Sequence, residues 1–269
     1  MLAGGAGTIH CGVKQGSLMK LCVLGSGSKG NAYYVEAGET RILVDAGFSC
    51  KELKRRAANF GIDLGSLNGI VISHEHNDHI QGLRVLGRQT TVYATAPTLS
   101  RVSSKFKMNG TEPVRSGEAF RIGQLSLMPV PLSHDTPDPV GFVLDDGMKR
   151  LGVLTDQGVV TRLIRERLKG LDAIIVEMNH DPEMLINGTY PWELKQRIKG
   201  RQGHLSNIEG ASLVADVLHP GTRHVLLAHL SEQNNKPGLA MKAMRQVVDG
   251  HSAKLYLCAQ DRPLDPFEI

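Results

Sequence analysis

Short apolar runs recur along the chain, separated by glycine, proline and charged clusters, and between them lie longer stretches with apolar positions three and four apart. The runs predict strands at 21–24, 70–73, 91–94, 119–122, 125–130, 141–144, 150–154, 173–176 and 223–228, with a last strand at 253–258. Residues 32–37 and 41–45 read as a hairpin turning at Gly38-Glu39. The longer period predicts helices at 51–59, 97–106, 191–199, 207–218 and 239–248. Two further helices are expected, one starting at His79 and running to Leu86, the other over 159–169 with Leu163, Ile164 and Leu168 on its apolar face. The strands fall in two batches, each interleaved with helices, which suits two sheets packed face to face with helices outside. No linker or repeat interrupts 19–269, so one domain is expected there. Residues 1–18 begin Met-Leu-Ala-Gly-Gly-Ala-Gly and lack the apolar centre of a signal peptide. They are expected to be a disordered extension, with Met19 as the natural start.

Composition adds little to this pattern and excludes some classes. Hydrophobic content of 41% and charged content of 22% are those of an ordinary globular protein. No apolar run approaches the length of a membrane span, so no membrane partner is expected. The formal charge of +4 only weakly favours a polyanionic partner. The cysteines, Cys11, Cys22, Cys50 and Cys258, form no Cys-x-x-Cys pair. Cys22 and Cys258 sit inside apolar runs, so they read as buried thiols of a reducing, cytoplasmic compartment.

Chemistry concentrates at residues 73–79, Ser-His-Glu-His-Asn-Asp-His, directly after the apolar run 69–72. Imidazole suits zinc and similar metals, and a carboxylate beside it suits a hydrolytic site. On an extended segment His74, His76 and Asp78 would share a face. His79, opening a helix, could reach a neighbouring position, so one segment could serve two adjacent metals. Three more donors follow apolar runs at distant points: His134 after 129–132, Asp156 after 151–154, and His229 after 224–228.

This order, Asp45, His74-x-His76-x-Asp78-His79, His134, Asp156 and His229, resembles the metallo-β-lactamase fold superfamily from about residue 20 onward. The resemblance implies an α/β fold, a four-layer αββα sandwich with its site on one edge. It implies two divalent metal ions, zinc, manganese or iron: His74, His76 and His134 would hold one, Asp78, His79 and His229 the other, and Asp156 would bridge. Asp45 would orient a ligand from behind, and Asp78 is also a catalytic candidate. The interval from 156 to 229 is already claimed by three helices and a strand, so the β-CASP insertion of larger nucleases has no room.

Other segments bear on the substrate. The loop Gly25-Ser26-Gly27-Ser28-Lys29-Gly30-Asn31 can face a ligand with backbone N–H groups and the hydroxyls of Ser26 or Ser28, or can simply be a turn. His204 precedes a helix whose N-terminus could help hold phosphate, and could protonate a leaving alkoxide, oriented by Glu177. With Asn179, His180, Ser206, Tyr190-Pro191 and His229-Leu230-Ser231, these segments resemble the YycJ/WalJ group of the superfamily. The resemblance implies a metal-dependent 5′-to-3′ exonuclease on double-stranded DNA. Its rivals are a small-molecule cyclic phosphodiesterase, an RNA-processing nuclease and a non-catalytic metal- or nucleic-acid-binding scaffold. Lys195, Arg197, Lys199 and Arg201 are either a polyanion track or a solvated helix face. Trp192 is expected in the core, with base stacking as the alternative.

Overall fold

A computed structural model describes residues 18–269. The expected N-terminal extension lies outside the described residues except for Leu18, and His10 and Cys11 lie outside with it. Fourteen strands follow in chain order: β1 (Lys20–Gly25), β2 (Ala32–Ala37), β3 (Thr40–Val44), β4 (Gly69–Val71), β5 (Val92–Thr95), β6 (Thr111–Val114), β7 (Phe120–Ile122), β8 (Leu125–Pro131), β9 (Val140–Asp145), β10 (Arg150–Leu154), β11 (Ala173–Glu177), β12 (His224–Ala228), β13 (Lys254–Leu257) and β14 (Phe267–Glu268). The α-helices are α1 (Cys50–Ala58), α2 (Asn77–Ile80), α3 (Leu83–Leu86), α4 (Ala96–Lys105), α5 (Arg162–Arg167), α6 (Pro182–Asn187), α7 (Trp192–Lys199), α8 (Asn207–Val217) and α9 (Pro237–Val248).

The strands form two seven-stranded sheets, ordered β14-β1-β2-β3-β4-β5-β6 and β13-β12-β11-β10-β9-β8-β7. Alternation along each strand builds three apolar layers. Leu21 and Val23 of β1, Tyr33 and Val35 of β2, and Ala173 and Ile175 of β11 meet between the sheets. Cys22, Leu24 and Tyr34 face the opposite way, toward Leu53 and Ala57 of α1 and Leu83 of α3. Ile174 and Val176 of β11 pack instead on Leu213 and Val214 of α8 and Met244 of α9. Three buried layers between four layers of structure are the αββα sandwich. The 156–229 interval holds α5, β11, α6, α7, α8 and β12, with no inserted domain. No described helix is long and apolar enough to cross a membrane. Burial pushes the Cys22 and Cys258 thiols up to about 12.

Strands β3 to β6 run parallel, as do β10 to β13. Their C-terminal ends therefore gather on one edge, and every candidate ligand follows such an end or that of β8.

Several elements differ from the sequence reading. The helix expected from His79 to Leu86 begins at Asn77, with His76 as its N-cap, and breaks into α2 and α3 at Gly82. The Gly82 N–H donates to Ala46 O at 2.7 Å, and a Cβ there would lie 2.6 Å from Leu53. Asp78 thus sits on a helical turn and does not share an extended face with His74 and His76. The 159–169 helix shortens to α5 because the Thr161 hydroxyl caps it, accepting from Ile164 N at 3.2 Å. Leu163 is exposed, and Ile164 and Leu168 carry the packing. Strand β6 was not foreseen; three of its four residues are exposed, and it is an edge strand. The last strand is the two-residue β14, which pairs antiparallel with β1. Trp192 is 61% exposed and lies outside the core.

Candidate metal centre

Three residues in this structure that are not glycine adopt positive φ: Asp45 (57°), Asp156 (62°) and His229 (54°), counted among the described residues. Asp45 and His229 directly follow β3 and β12, and Asp156 follows β10 after one intervening residue, all at the edge where parallel strands end. Left-handed backbone at such residues costs roughly 1–3 kcal/mol each and persists where the surroundings hold it. Here they do. Asp45 N donates to Val71 O at 2.9 Å, and His229 N donates to the Ser26 hydroxyl at 2.9 Å. Gly47 lets the chain pass under the metal motif: a Cβ there would sit 1.7 Å from the Asp78 carbonyl oxygen.

The donors fall into two groups. His74 Nε2 and His134 Nε2 lie 3.1 and 3.3 Å from His76 Nδ1. His79 Nε2 lies 3.5 Å from Asp78 Oδ2, and His229 Nε2 lies 3.7 Å from the same oxygen. Asp156 stands between them, 3.2 Å from His79 Nε2, 3.3 Å from His229 Nδ1 and 3.9 Å from His134 Nε2. Apart from half-buried His76 and Asp78, these side chains are buried.

Their outer atoms are fixed by protein partners, which sets tautomer and ring orientation. Asp45 accepts from Ser73 N at 2.8 Å and from the Ser73 hydroxyl at 2.9 Å, and contacts His79 Nδ1 at 2.8 Å. His134 Nδ1 meets the Gly203 carbonyl at 3.1 Å, and His74 Nδ1 meets the Ser73 hydroxyl at 3.0 Å. Glu177, fully buried, contacts both His204 Nδ1 and His229 Nδ1 through Oε1 at 2.8 Å, and its Oε2 accepts from Gln157 N and Leu205 N at 3.1 and 3.0 Å. Gly210 lets α8 approach this strand end; a Cβ would lie 2.3 Å from Glu177 O.

Charge and burial oppose each other throughout. Burial pushes His229 down, but Asp156, Asp78 and Glu177 outweigh it and lift the imidazole to about 10. His79 is held well above its usual value by Asp156, Asp45 and Asp78 against the same burial. Burial and the neighbouring His79 hold His74 well below. Asp156, pushed up by burial, is held well below the carboxylate range by His229 and His79. Glu177 falls to about 2, because His204 and His229 overcome burial, and His204 rises in return beside Glu177.

A divalent cation fits this set. Asp156 Oδ2 and His229 Nε2 are buried with no hydrogen-bond partner among the described residues, a costly state for polar atoms unless something coordinates them. Imidazole nitrogens facing one another at about 3 Å also leave a lone pair to be shared with a cation. Histidine with carboxylate accepts zinc, manganese or iron.

Comparison with known proteins agrees with the geometry. Residues 40–230 match the family model described as a β-lactamase superfamily domain. The exodeoxyribonuclease YycJ of Bacillus anthracis is 36% identical over 232 residues, covering 84% of this chain and 88% of that one. The exodeoxyribonuclease WalJ of Streptococcus pneumoniae is 36% identical over 234 residues, covering 84% and 86%. The chain belongs to the metallo-β-lactamase superfamily, in its YycJ/WalJ-like group. It is a metal-dependent hydrolase. Among solved structures, YhfI from Bacillus subtilis superposes with a TM-score of 0.72 at 16% identity over 92% of this chain and 99% of that one. Zinc-bound PqqB from Methylobacterium extorquens gives 0.67 at 19% identity, covering 91% and 99%. At such identities these two speak for the fold alone.

The remaining candidates scatter by role. The glycine loop after β1 turns inward. Ser26 is buried and its hydroxyl meets Asn31 Oδ1 and Tyr33 Oη at 2.9 Å. Asn31 accepts from Gly27 N at 3.0 Å and lies 3.2 Å from His79 Nε2 through Nδ2. The amides of Ser26, Gly27, Lys29 and Gly30 all have protein acceptors, so the loop braces the ligands from behind, and only Ser28 is an exposed serine. Asn179 Nδ2 donates to His229 O at 3.1 Å. Ser206 forms a capping box with Glu209 at the start of α8, which occupies the helix terminus expected to hold phosphate. Half of the basic track is engaged: Lys195 donates to the Ile186 and Gly188 carbonyls at 2.8 and 2.7 Å, and Arg197 Nε donates to Asp135 Oδ2 at 2.7 Å. His224 is a packed strand histidine 3.0 Å from Tyr256 Oη. Asp135 was missed from sequence. Its Oδ1 lies 3.4 Å from His76 Nε2, and its place directly after His134 was the available signal. A cavity of about 200 Å³ beside His134 and His204 is lined by Tyr190, Leu194 and Arg197.

Proposed function

We propose that this protein is a dinuclear-metal phosphodiesterase, acting as a 5′-to-3′ exonuclease on double-stranded DNA. The observation that carries the reading is the pair of donor groups sharing Asp156, with the Glu177–His204 pair beside them. His74, His76 and His134 would hold one ion, and Asp78, His79 and His229 would hold the other. Cations bound there supply Lewis acidity for activating water and neutralising phosphoryl charge. DNA as the substrate rests on the names of the relatives, exodeoxyribonucleases at 36% identity over most of both chains. Duplex preference and direction rest on the resemblance to the YycJ/WalJ group.

The chain's own residues handle the protons. Glu177 raises the pKa of His204 against burial, which favours the protonated imidazole. With Nδ1 committed to Glu177, Nε2 is the atom that delivers this proton to the leaving oxygen. Asp45 keeps His79 in the tautomer whose Nε2 faces Asp78 and Asp156. Arg197 keeps Asp135 against His76. The approach to His204 runs past Tyr190 and Arg197.

Digestion of end-labelled DNA and RNA, single and double stranded, with Mn²⁺, Mg²⁺ and Zn²⁺ and a 5′-phosphate control, tests this. Stepwise release of nucleotides from 5′ ends of duplex DNA is expected; release from 3′ ends, or RNA cleavage alone, contradicts it. A small-molecule phosphodiesterase is the second reading, favoured by the modest size of the cavity at His204. Comparing rates on duplex DNA and bis-p-nitrophenyl phosphate separates the two.

A further inference from the structure

We propose that the cavity between α6, α7 and the start of α8 is a base subsite, receiving one unstacked nucleobase of the DNA strand beside the scissile phosphate; this rests on the phosphodiesterase reading above. The cavity measures about 230 Å³, room for a single heterocycle, and does not include the metal ligands. Its apolar wall is Leu185, Ile186 and Ile208, and its polar groups are His180, Lys199, and Ser206 with Glu209, whose Oε2 accepts from the Ser206 amide and hydroxyl at 2.9 and 2.7 Å.

Four observations point to a base. His180 is 2% exposed, yet its Nδ1 has no hydrogen-bond partner among the described residues. A buried imidazole nitrogen without a partner is costly, and a ligand with a hydrogen-bonding edge relieves it where an aliphatic side chain of a partner protein does not. Ile186 and Ile208 are 44% and 65% exposed, and such apolar side chains can sandwich the flat face of a heterocycle. Lys199, exposed at the rim, makes no ion pair among the described residues and can meet a phosphate. The cavity also lies close to His204 along the chain. Its wall residue His180 is bridged to Ser206, two positions beyond His204, a separation of about 7 Å on extended chain. That is the reach of one or two nucleotides along a strand.

The test compares wild type and Ile208→Ala on duplexes with a normal nucleotide, or a tetrahydrofuran abasic one, next to the scissile phosphate. Ile208 is solvent-facing, so the variant folds. For wild type, removing the base is expected to raise KM by about 10-fold, the loss of roughly 50 Å² of apolar contact. Ile208→Ala should raise KM about 5-fold on the normal duplex, the loss of roughly 40 Å² of apolar contact, and leave the abasic one unaffected. Wild-type indifference to the missing base, or equal effects of Ile208→Ala on both duplexes, overturns the subsite. Bis-p-nitrophenyl phosphate, which has no base, reports the hydrolytic centre separately. If wild type with metal cleaves neither it nor DNA, the phosphodiesterase reading itself has failed; if it is cleaved and the base makes no difference, only the subsite has.

Discussion

Glu177→Gln tests the link between the metal ligands and the proton-holding histidine. The native carboxylate serves four polar groups: His204 Nδ1 and His229 Nδ1 at 2.8 Å on Oε1, and Gln157 N and Leu205 N on Oε2. The amide keeps one accepting oxygen and turns an NH₂ to the other side. The two backbone N–H groups cannot move or lose their protons, so the oxygen stays with them and the NH₂ faces the imidazoles. Both Nδ1 atoms must then accept, which drives their protons to Nε2. For His229 that is the orphaned nitrogen turned toward Asp78. If the tautomers do not switch, one buried donor (His229) and one half-buried donor (His204) lose their partners, at about 1–3 kcal/mol each, so a stability loss of about 2–6 kcal/mol is expected. If they switch, metal affinity should fall about 10- to 100-fold. His204 also loses the carboxylate that raises its pKa. Because its protonated form is the active one, the alkaline fall in rate should move to lower pH. Urea denaturation, elemental analysis and a pH profile of bis-p-nitrophenyl phosphate hydrolysis read these three quantities. A variant with native stability and metal content, kcat within about twofold and an unmoved alkaline limb, would refute the reasoning.

Asp156→Ala removes the one carboxylate among the described residues that contacts both donor groups, so bound metal should drop and metal-dependent hydrolysis fall by more than about 100-fold; full activity at native metal content contradicts the shared position. Gly47→Ala pushes a methyl group into the Asp78 carbonyl, and a loss of about 3 kcal/mol in denaturant titration is expected. Glu52, lowered to about 2 by hydrogen bonds from Arg55 and Arg56, has a depressed folded pKa, so its contribution is present above about pH 4.5 and lost as pH falls toward 2. Glu52→Gln should lower the melting temperature modestly at neutral pH, the pair being partly solvent-screened, and flatten its fall across that acid window so that the two proteins converge near pH 2.

The strands and the metal motif were legible because their signals are local. Period-two burial shows in any short run, and His74, His76, Asp78 and His79 lie within one turn of chain, so neither needs a distant partner to be read. His134, Asp156 and His229 were legible for a related reason: each ends an apolar run, and parallel strands bring such ends to one edge. What the tertiary structure decided is what depends on contacts between segments far apart in sequence. The break at Gly82 comes from Ala46 and Leu53, strand β14 exists only because β1 offers it an edge, and Trp192 is exposed because no layer covers the start of α7. The inward turn of the Ser26–Asn31 loop and the double hold of Glu177 on His204 and His229 belong to the same class. A residue's type and local period fix which chemistry it can offer; which partner it meets is set by packing across the two sheets, and only the folded chain contains that information.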